Sequence, residues 1–255
     1  MWELPALSLD EAKELMSKDF GRELIKLAVA HMTHFTFGVV NSKGVAEIHS
    51  ATCFFVKTPS KLLVVTAKHV ILAYRQALAG DPATICQIGN LRFEPDDRLV
   101  GMGTKVDIAT LSITERELGK IAKHPIAYWP PAPPDNDDHG VLLAGYPATE
   151  IVMEGPRTGS FGIYAASAVA QRTTDWQPSC KVEWSYVQGI PGLGGLPPQG
   201  FDTGGMSGGP VFTIREQNGI LSFPLAGVIS ERQPAWDTII ADRADFIRAD
   251  GSVRA

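Results

Sequence analysis

Cysteine is scarce in this chain: three in 255 residues, an odd number without CxxC spacing. Such a count builds neither a disulfide framework nor a zinc site, and a reducing, cytoplasmic compartment is the simplest expectation. Clustered positive charge is lacking too. Lys and Arg number 23 against 28 Asp and Glu, with no basic run, which argues against nucleic acid and anionic membrane as partners. No apolar stretch approaches the roughly 18–20 residues that span a bilayer. The first residues, Met1–Leu7, lack the basic start and apolar core of a secretory signal. No internal repeat of fixed period is found. Nothing calls for a cofactor or metal: His31 and His34 stand three apart without a third ligand, and Asp135, Asp137 and His139-Gly140 lack the glutamate that closes a calcium loop. The Gly192-Leu-Gly-Gly195 run is followed by no helix and so is no nucleotide loop.

What is present is 44% hydrophobic residues, enough for a sizeable core, in a length suited to one large all-β domain or two small ones. Residues 8–30 read as helix. Ser8 and Glu11 form a capping box, and Leu9, Ala12, Leu15, Met16, Phe20, Leu24, Leu27 and Ala28 recur at helical spacing. Short strand-like runs follow at Phe35–Val40, Val45–Lys57, Lys61–Ala67, Ile85–Ile88, Asp107–Ile113, Val141–Ala144, Ser160–Ala170, Lys181–Val187, Pro210–Ile214 and Ile220–Ile229. Gly and Pro punctuate them, as in a sandwich or pair of barrels. Thr114–Ala122 is expected to form a brief helix. Tyr128–Asp138, with four prolines and three aspartates, reads as a linker, and Thr238–Ala249 as a C-terminal helix. The expected divisions are a helical segment (1–32), a first barrel (33–127), the linker (128–138), a second barrel (139–237) and a helix with tail (238–255).

The stretch Phe201-Asp-Thr-Gly-Gly-Met-Ser-Gly-Gly-Pro-Val-Phe212 sets Ser207 among glycines ahead of a strand. Glycine reaches backbone angles closed to other residues, so Gly205 can aim its N–H with that of Ser207 into one small space, an oxyanion hole beside a nucleophile. Pro210 suits the first position of a strand. Two other stretches complete a constellation. Leu62-Leu-Val-Val-Thr-Ala-Lys-His-Val-Ile71 reads as a buried strand running into His69, and Asp107-Ile-Ala-Thr-Leu-Ser-Ile113 places an acid at the head of another. A serine hydroxyl needs a base, imidazole has the right basicity, and a carboxylate on its second nitrogen fixes the tautomer. The order His, Asp, Ser is that of the chymotrypsin arrangement, and it divides the three between the two halves.

These motifs resemble the chymotrypsin-like (trypsin-fold) serine peptidases, closest to bacterial trypsin-like and HtrA-type domains without a PDZ domain. Thr66-Ala-Lys-His69, Asp107-Ile-Ala-Thr-Leu111 and Gly205-Met-Ser-Gly-Gly-Pro210 match the three family motifs. Ala51-Thr-Cys-Phe-Phe-Val56 and Ala226-Gly-Val-Ile-Ser230 are softer echoes, and Cys53 stands where glycine is usual. The resemblance spans roughly residues 33–235. It implies a mostly β fold of two packed antiparallel barrels, flanked by the N-terminal helical segment and a short C-terminal helix. It also implies peptide-bond hydrolysis through an acyl-enzyme: catalytic His69, Asp107 and Ser207, an oxyanion hole from Gly205 and Ser207, and a serine at 230 that bonds the triad aspartate.

The departures bear on regulation. Met206 stands where the digestive enzymes carry the aspartate that pairs with a cut N-terminus, so the oxyanion loop must be held another way. Val70 replaces the usual cysteine after the histidine, and too few residues follow Asp237 for a PDZ domain. The resemblance puts Phe201 and Asp202 at the base of the specificity pocket, with Ser230 and Glu231 on one wall. A phenyl ring would favour small or medium apolar side chains, and an inward Asp202 would favour Lys or Arg. Gly189–Gly204 is read as a loop over that pocket. The expected partner is a protein or peptide substrate, with room for a regulatory protein. The alternative is a latent or inactive trypsin-fold protein that binds an extended peptide, its cleft closed by helix 8–30 or the glycine loop.

Overall fold

Strands dominate because side chains alternate between two destinations. In the computed structural model, which describes residues 19–40, 46–134, 139–155, 158–189, 204–217, 220–233 and 238–254, both faces of many strands are buried. Strands β1 (Met32–Val40), β2 (Ala46–Lys57), β3 (Leu62–Thr66), β4 (Ile85–Ile88), β5 (Leu91–Arg92), β6 (Leu99–Met102) and β7 (Ala109–Ser112) form one curled antiparallel sheet in the order β5-β4-β1-β2-β3-β7-β6. Cys53, Phe55 and Val64 point into its interior, whereas Phe54, Val56, Leu63 and Val65 point toward the other half. That two-sided burial explains why β2 and β3 are continuous apolar runs rather than alternating ones.

The second half contains β8 (His139–Gly145), the hairpin β9 (Ile151–Gly155) with β10 (Thr158–Phe161), β11 (Tyr164–Thr173), β12 (Pro178–Gly189), β13 (Pro210–Thr213), the small hairpin β14 (Arg215–Gln217) with β15 (Ile220–Ser222), β16 (Leu225–Gln233) and β17 (Thr238–Arg243). A closed barrel runs β11-β12-β17-β16-β13-β8. Val141, Leu143 and Val211 fill it, while Leu142, Ala144, Phe212 and Val228 face the first sheet. The chain is therefore mostly β, two curled antiparallel sheets packed across a shared apolar layer, as its motifs implied.

Helix α1 (Asp19–His31) belongs to that shared layer through Leu24, Ile25 and Ala28, each at most 3% exposed. Its last carbonyls, unpaired within any helix, are met from outside: Lys123 Nζ donates to Val29 O and the His124 N–H to Ala30 O. The described part of the N-terminal segment is thus core, not a detachable plug over a cleft; residues 1–18 lie outside the described residues. The linker's described part crosses from Ile126, bridged to Val56, to Ala132, which bonds Leu225 O and accepts from Thr213 Oγ1.

One expected element is corrected and one unexpected helix is added. Thr238–Arg243 is strand β17, not helix, because Ile239 and Ala241 alternate into the barrel; only Ala244–Phe246 forms a 3₁₀ turn. The tail then returns to the first sheet, where Thr58 Oγ1 and Thr110 Oγ1 donate to Ala249 O and Gly251 O, each at 2.5 Å. The strand expected over Lys61–Ala67 forms as β3 and ends at Thr66; helix α2 (Lys68–Gly80), which was not expected, follows and buries Val70, Ile71 and Tyr74 along one side.

The short helix α3 (Pro95–Arg98) bears on the expected helix at 114–122, which forms as α4 (Glu115–Ile121). A capping box joins Thr114 and Glu117, and Arg98 grips the same carboxylate with both terminal nitrogens at 2.8 and 3.2 Å. Burial alone would raise the Glu117 pKa; the bonds from Arg98 and Thr114 outweigh it and hold the group down to about 2. A depressed carboxylate contributes stability above its unfolded pKa and loses it as pH falls. Glu117→Gln is therefore expected to cost about 1 kcal/mol at neutral pH for this partly buried pair. That gap should narrow below about pH 4.5 and close toward pH 2, as read from urea midpoints across that range.

Candidate active site

Asp107 caps a helix and holds an imidazole with one carboxylate. The first N–H groups of α2 have no partner within the helix. Asp107 Oδ1 accepts the His69 N–H at 2.8 Å, and Asp107 O accepts the Lys68 N–H at 3.2 Å. Negative charge is favoured at that helix end. The other oxygen, Oδ2, lies 2.5 Å from His69 Nδ1. A carboxylate only accepts, so Nδ1 carries the proton and Nε2 keeps its lone pair. Half of the His69 side chain is exposed, 49%, against 23% for Asp107, so the imidazole reaches the surface and the carboxylate stands behind it.

The loop carrying Ser207 is pinned against the segment that leads to His69. Ser207 O accepts the Thr52 N–H at 2.9 Å, and Gly208 N–H donates to Ile229 O at 2.7 Å. At Gly208 (φ +85°) a Cβ would lie 2.2 Å from Thr52 O and 2.3 Å from Thr66 Oγ1, so only glycine permits this approach. Pro210 opens β13 as expected.

Three restraints shape the turn before Ser207. Gly204 O accepts the Ala148 N–H at 2.6 Å. Across a trans peptide the N–H points opposite to the C=O, which turns the Gly205 N–H away from Ala148. Gly205, at φ +93°, then offers its own carbonyl to Thr52 Oγ1 at 2.8 Å. Met206 drops into the second barrel at 3% exposure, among Leu143, Val211 and Ile229. An apolar anchor thus holds this turn from inside the barrel.

Other singled-out residues fall as follows. Ser230 is the extra residue of a bulge between β16 and β17, and its hydroxyl donates to Ile240 O at 3.2 Å. It therefore turns toward β17, and the bond to Asp107 implied for it is not made. Glu231 is exposed on β16. Phe201, Asp202 and most of the loop 189–204 lie outside the described residues. His31 and His34 are not brought together: His31 Nδ1 pairs with His124 O and His34 Nε2 with Gly89 O. Burial lowers the His34 pKa to about 4, and its ring stacks on Phe161 at 3.8 Å. Cys53 and Cys86 are buried free thiols. No group of three or more metal-ligating side chains occurs among the described residues, and none of their helices is long and apolar enough to cross a membrane.

Thr52 escaped the reading of the sequence. Fully buried on β2, it donates to Gly205 O, accepts the Tyr146 N–H at 2.9 Å, and passes its own carbonyl to Thr66 Oγ1. Thr52→Val keeps the shape and orphans two polar groups, at about 1–3 kcal/mol for each. The expected result is a lower denaturant midpoint. Thr52→Ser, which retains the hydroxyl, should restore it.

No family model and no curated protein sequence matches the chain. Among solved structures, the Rv3671c protease from M. tuberculosis in its active form aligns at 16% identity and a TM-score of 0.46, over 88% of this chain and 80% of that one. A chain from a study of coupled folding and binding of the Sesbania mosaic virus VPg protein aligns at 9% identity and a TM-score of 0.47, over 83% and 86%.

Proposed function

We propose that the chain is a serine endopeptidase. Ser207 attacks the scissile carbonyl, His69 takes its proton and later delivers it to the leaving amine, and Asp107 holds His69 in the required tautomer. The Gly205 and Ser207 amides carry the oxyanion. The observation that carries this reading is the His69 Nδ1–Asp107 pair, set on the same wall against which the Ser207 loop is packed. Water then releases the acyl group with His69 as base.

Substrate is proposed to bind extended along Ser230 and Glu231. β13 pairs with β16 at Leu225, Gly227 and Val228, and residues beyond Ile229 run past that pairing, where a peptide could add a strand. Phe201 and Asp202 are proposed for the base of the primary pocket. Two buried free thiols support a reducing compartment.

A fluorophosphonate probe tests the reading directly. Wild type should be labelled, peptide mapping should place the adduct on Ser207, and Ser207→Ala should take up none. Label that persists in Ser207→Ala, or a folded wild type that takes up none, would remove it.

A further inference from the structure

Asp242 is a carboxylate where an apolar residue would be easier to keep. It lies on β17 opposite Val228 and is 1% exposed. A buried carboxyl is costly unless hydrogen-bonded. Burial pushes its pKa above the usual range and the neighbouring Asp107 adds to this, while bonds from Gln177 and the Asp107 backbone oppose it. Its two oxygens are engaged in different directions: Oδ1 accepts Gln177 Nε2 at 3.1 Å, and Oδ2 accepts the Asp107 N–H at 3.0 Å.

With that bond, every polar group of Asp107 has a partner. Its carboxylate goes to the His69 backbone and ring, its carbonyl to the Lys68 N–H, and its N–H to Asp242. The last bond alone comes from the half of the molecule that carries Ser207. Asp107 and Asp242 are 135 residues apart in the chain.

We propose that Asp242 is a positioning residue of the hydrolytic site, a bracket from the second barrel that fixes the Asp107 backbone and so sets His69 relative to Ser207. The inference rests on the serine-peptidase reading. It is specific about chemistry: what is needed at 242 is an acceptor for one N–H. Asparagine supplies that acceptor, and the Gln177 amide can turn over to present its oxygen to the new NH₂. Alanine supplies none.

The test compares wild type, Asp242→Asn and Asp242→Ala by the rate of fluorophosphonate labelling at Ser207 and by the far-downfield proton resonance of His69 Nδ1. Displacement of catalytic groups by about an ångström costs on the order of 10²-fold, and Asp242→Ala is expected to approach that loss, with its Nδ1 resonance shifted or broadened away. Asp242→Asn should stay close to wild type in both. Asp242→Ala labelling at the wild-type rate, or Asp242→Asn as slow as Asp242→Ala, would overturn the bracket. Should Asp242→Ala not fold, Asp242→Leu, similar in shape and without an acceptor, replaces it; if neither folds while Asp242→Asn does, the residue serves the fold alone and the proposal falls. A folded wild type that resists the probe would defeat the peptidase reading instead. The bracket is then judged by the Nδ1 resonance: loss in Asp242→Ala but not in Asp242→Asn supports it, and no change in either refutes it.

Discussion

On the proposed serine-peptidase mechanism, Ser207→Ala, His69→Ala and the double variant should all lose turnover to the same extent, on the order of 10⁶-fold, because a nucleophile and its base act as one unit. In that mechanism the hydroxyl must lose its proton as the new bond forms, so a hydroxyl without its base and a base without its hydroxyl are equally idle. What would remain in each variant is stabilisation by the amides proposed for the oxyanion, those of Gly205 and Ser207, which require neither side chain. The measurement is turnover of the best substrate from a peptide cleavage library, which also reports the chemistry of the primary pocket. Losses that multiply in the double variant would mean that the two side chains act independently, and the acyl-transfer mechanism would fail.

Asp107→Asn should lower turnover by about 10⁴-fold with little change in KM. The local geometry dictates how the new amide sits. One carboxylate oxygen receives the His69 backbone N–H and the other faces Nδ1. A backbone N–H can only donate, so the asparagine oxygen must take that side and its NH₂ must face the ring. Nδ1 is then forced to accept, the imidazole proton moves to Nε2, and the nitrogen that should deprotonate Ser207 no longer has a lone pair. The cap on α2 survives the change, so the melting temperature should move far less than the rate. A variant that keeps near-wild-type turnover would show that the pair does not set the tautomer.

The strands that lead into or out of His69, Asp107 and Ser207 could be read from the sequence because each is specified locally. Each motif carries its own turn or strand, and two-sided burial leaves the continuous apolar runs of β2 and β3 as a signature. Thr52 and Asp242 carry no such signature. Thr52 acts on a carbonyl 153 residues away, and Asp242 on an N–H 135 residues away. Ile239-Ile-Ala-Asp-Arg243 has a composition that suits a helix, and only the barrel's demand for a closing strand decides otherwise. The start of α2 was hidden for a related reason: Val70 and Ile71 continue the apolar run of β3, and the change of period shows only once Tyr74 is counted with them.

The exchange of ends between the halves has a mechanical outcome. Helix α1, which precedes the first sheet, is wedged among side chains of the second barrel, and the tail that follows the second barrel is bonded onto the first sheet at Thr58 and Thr110. Swinging the walls apart like a jaw would mean stripping both ends at once, against the apolar layer that includes Leu24, Ile25 and Ala28. The two halves therefore behave as one fixed anvil rather than as a hinged pair.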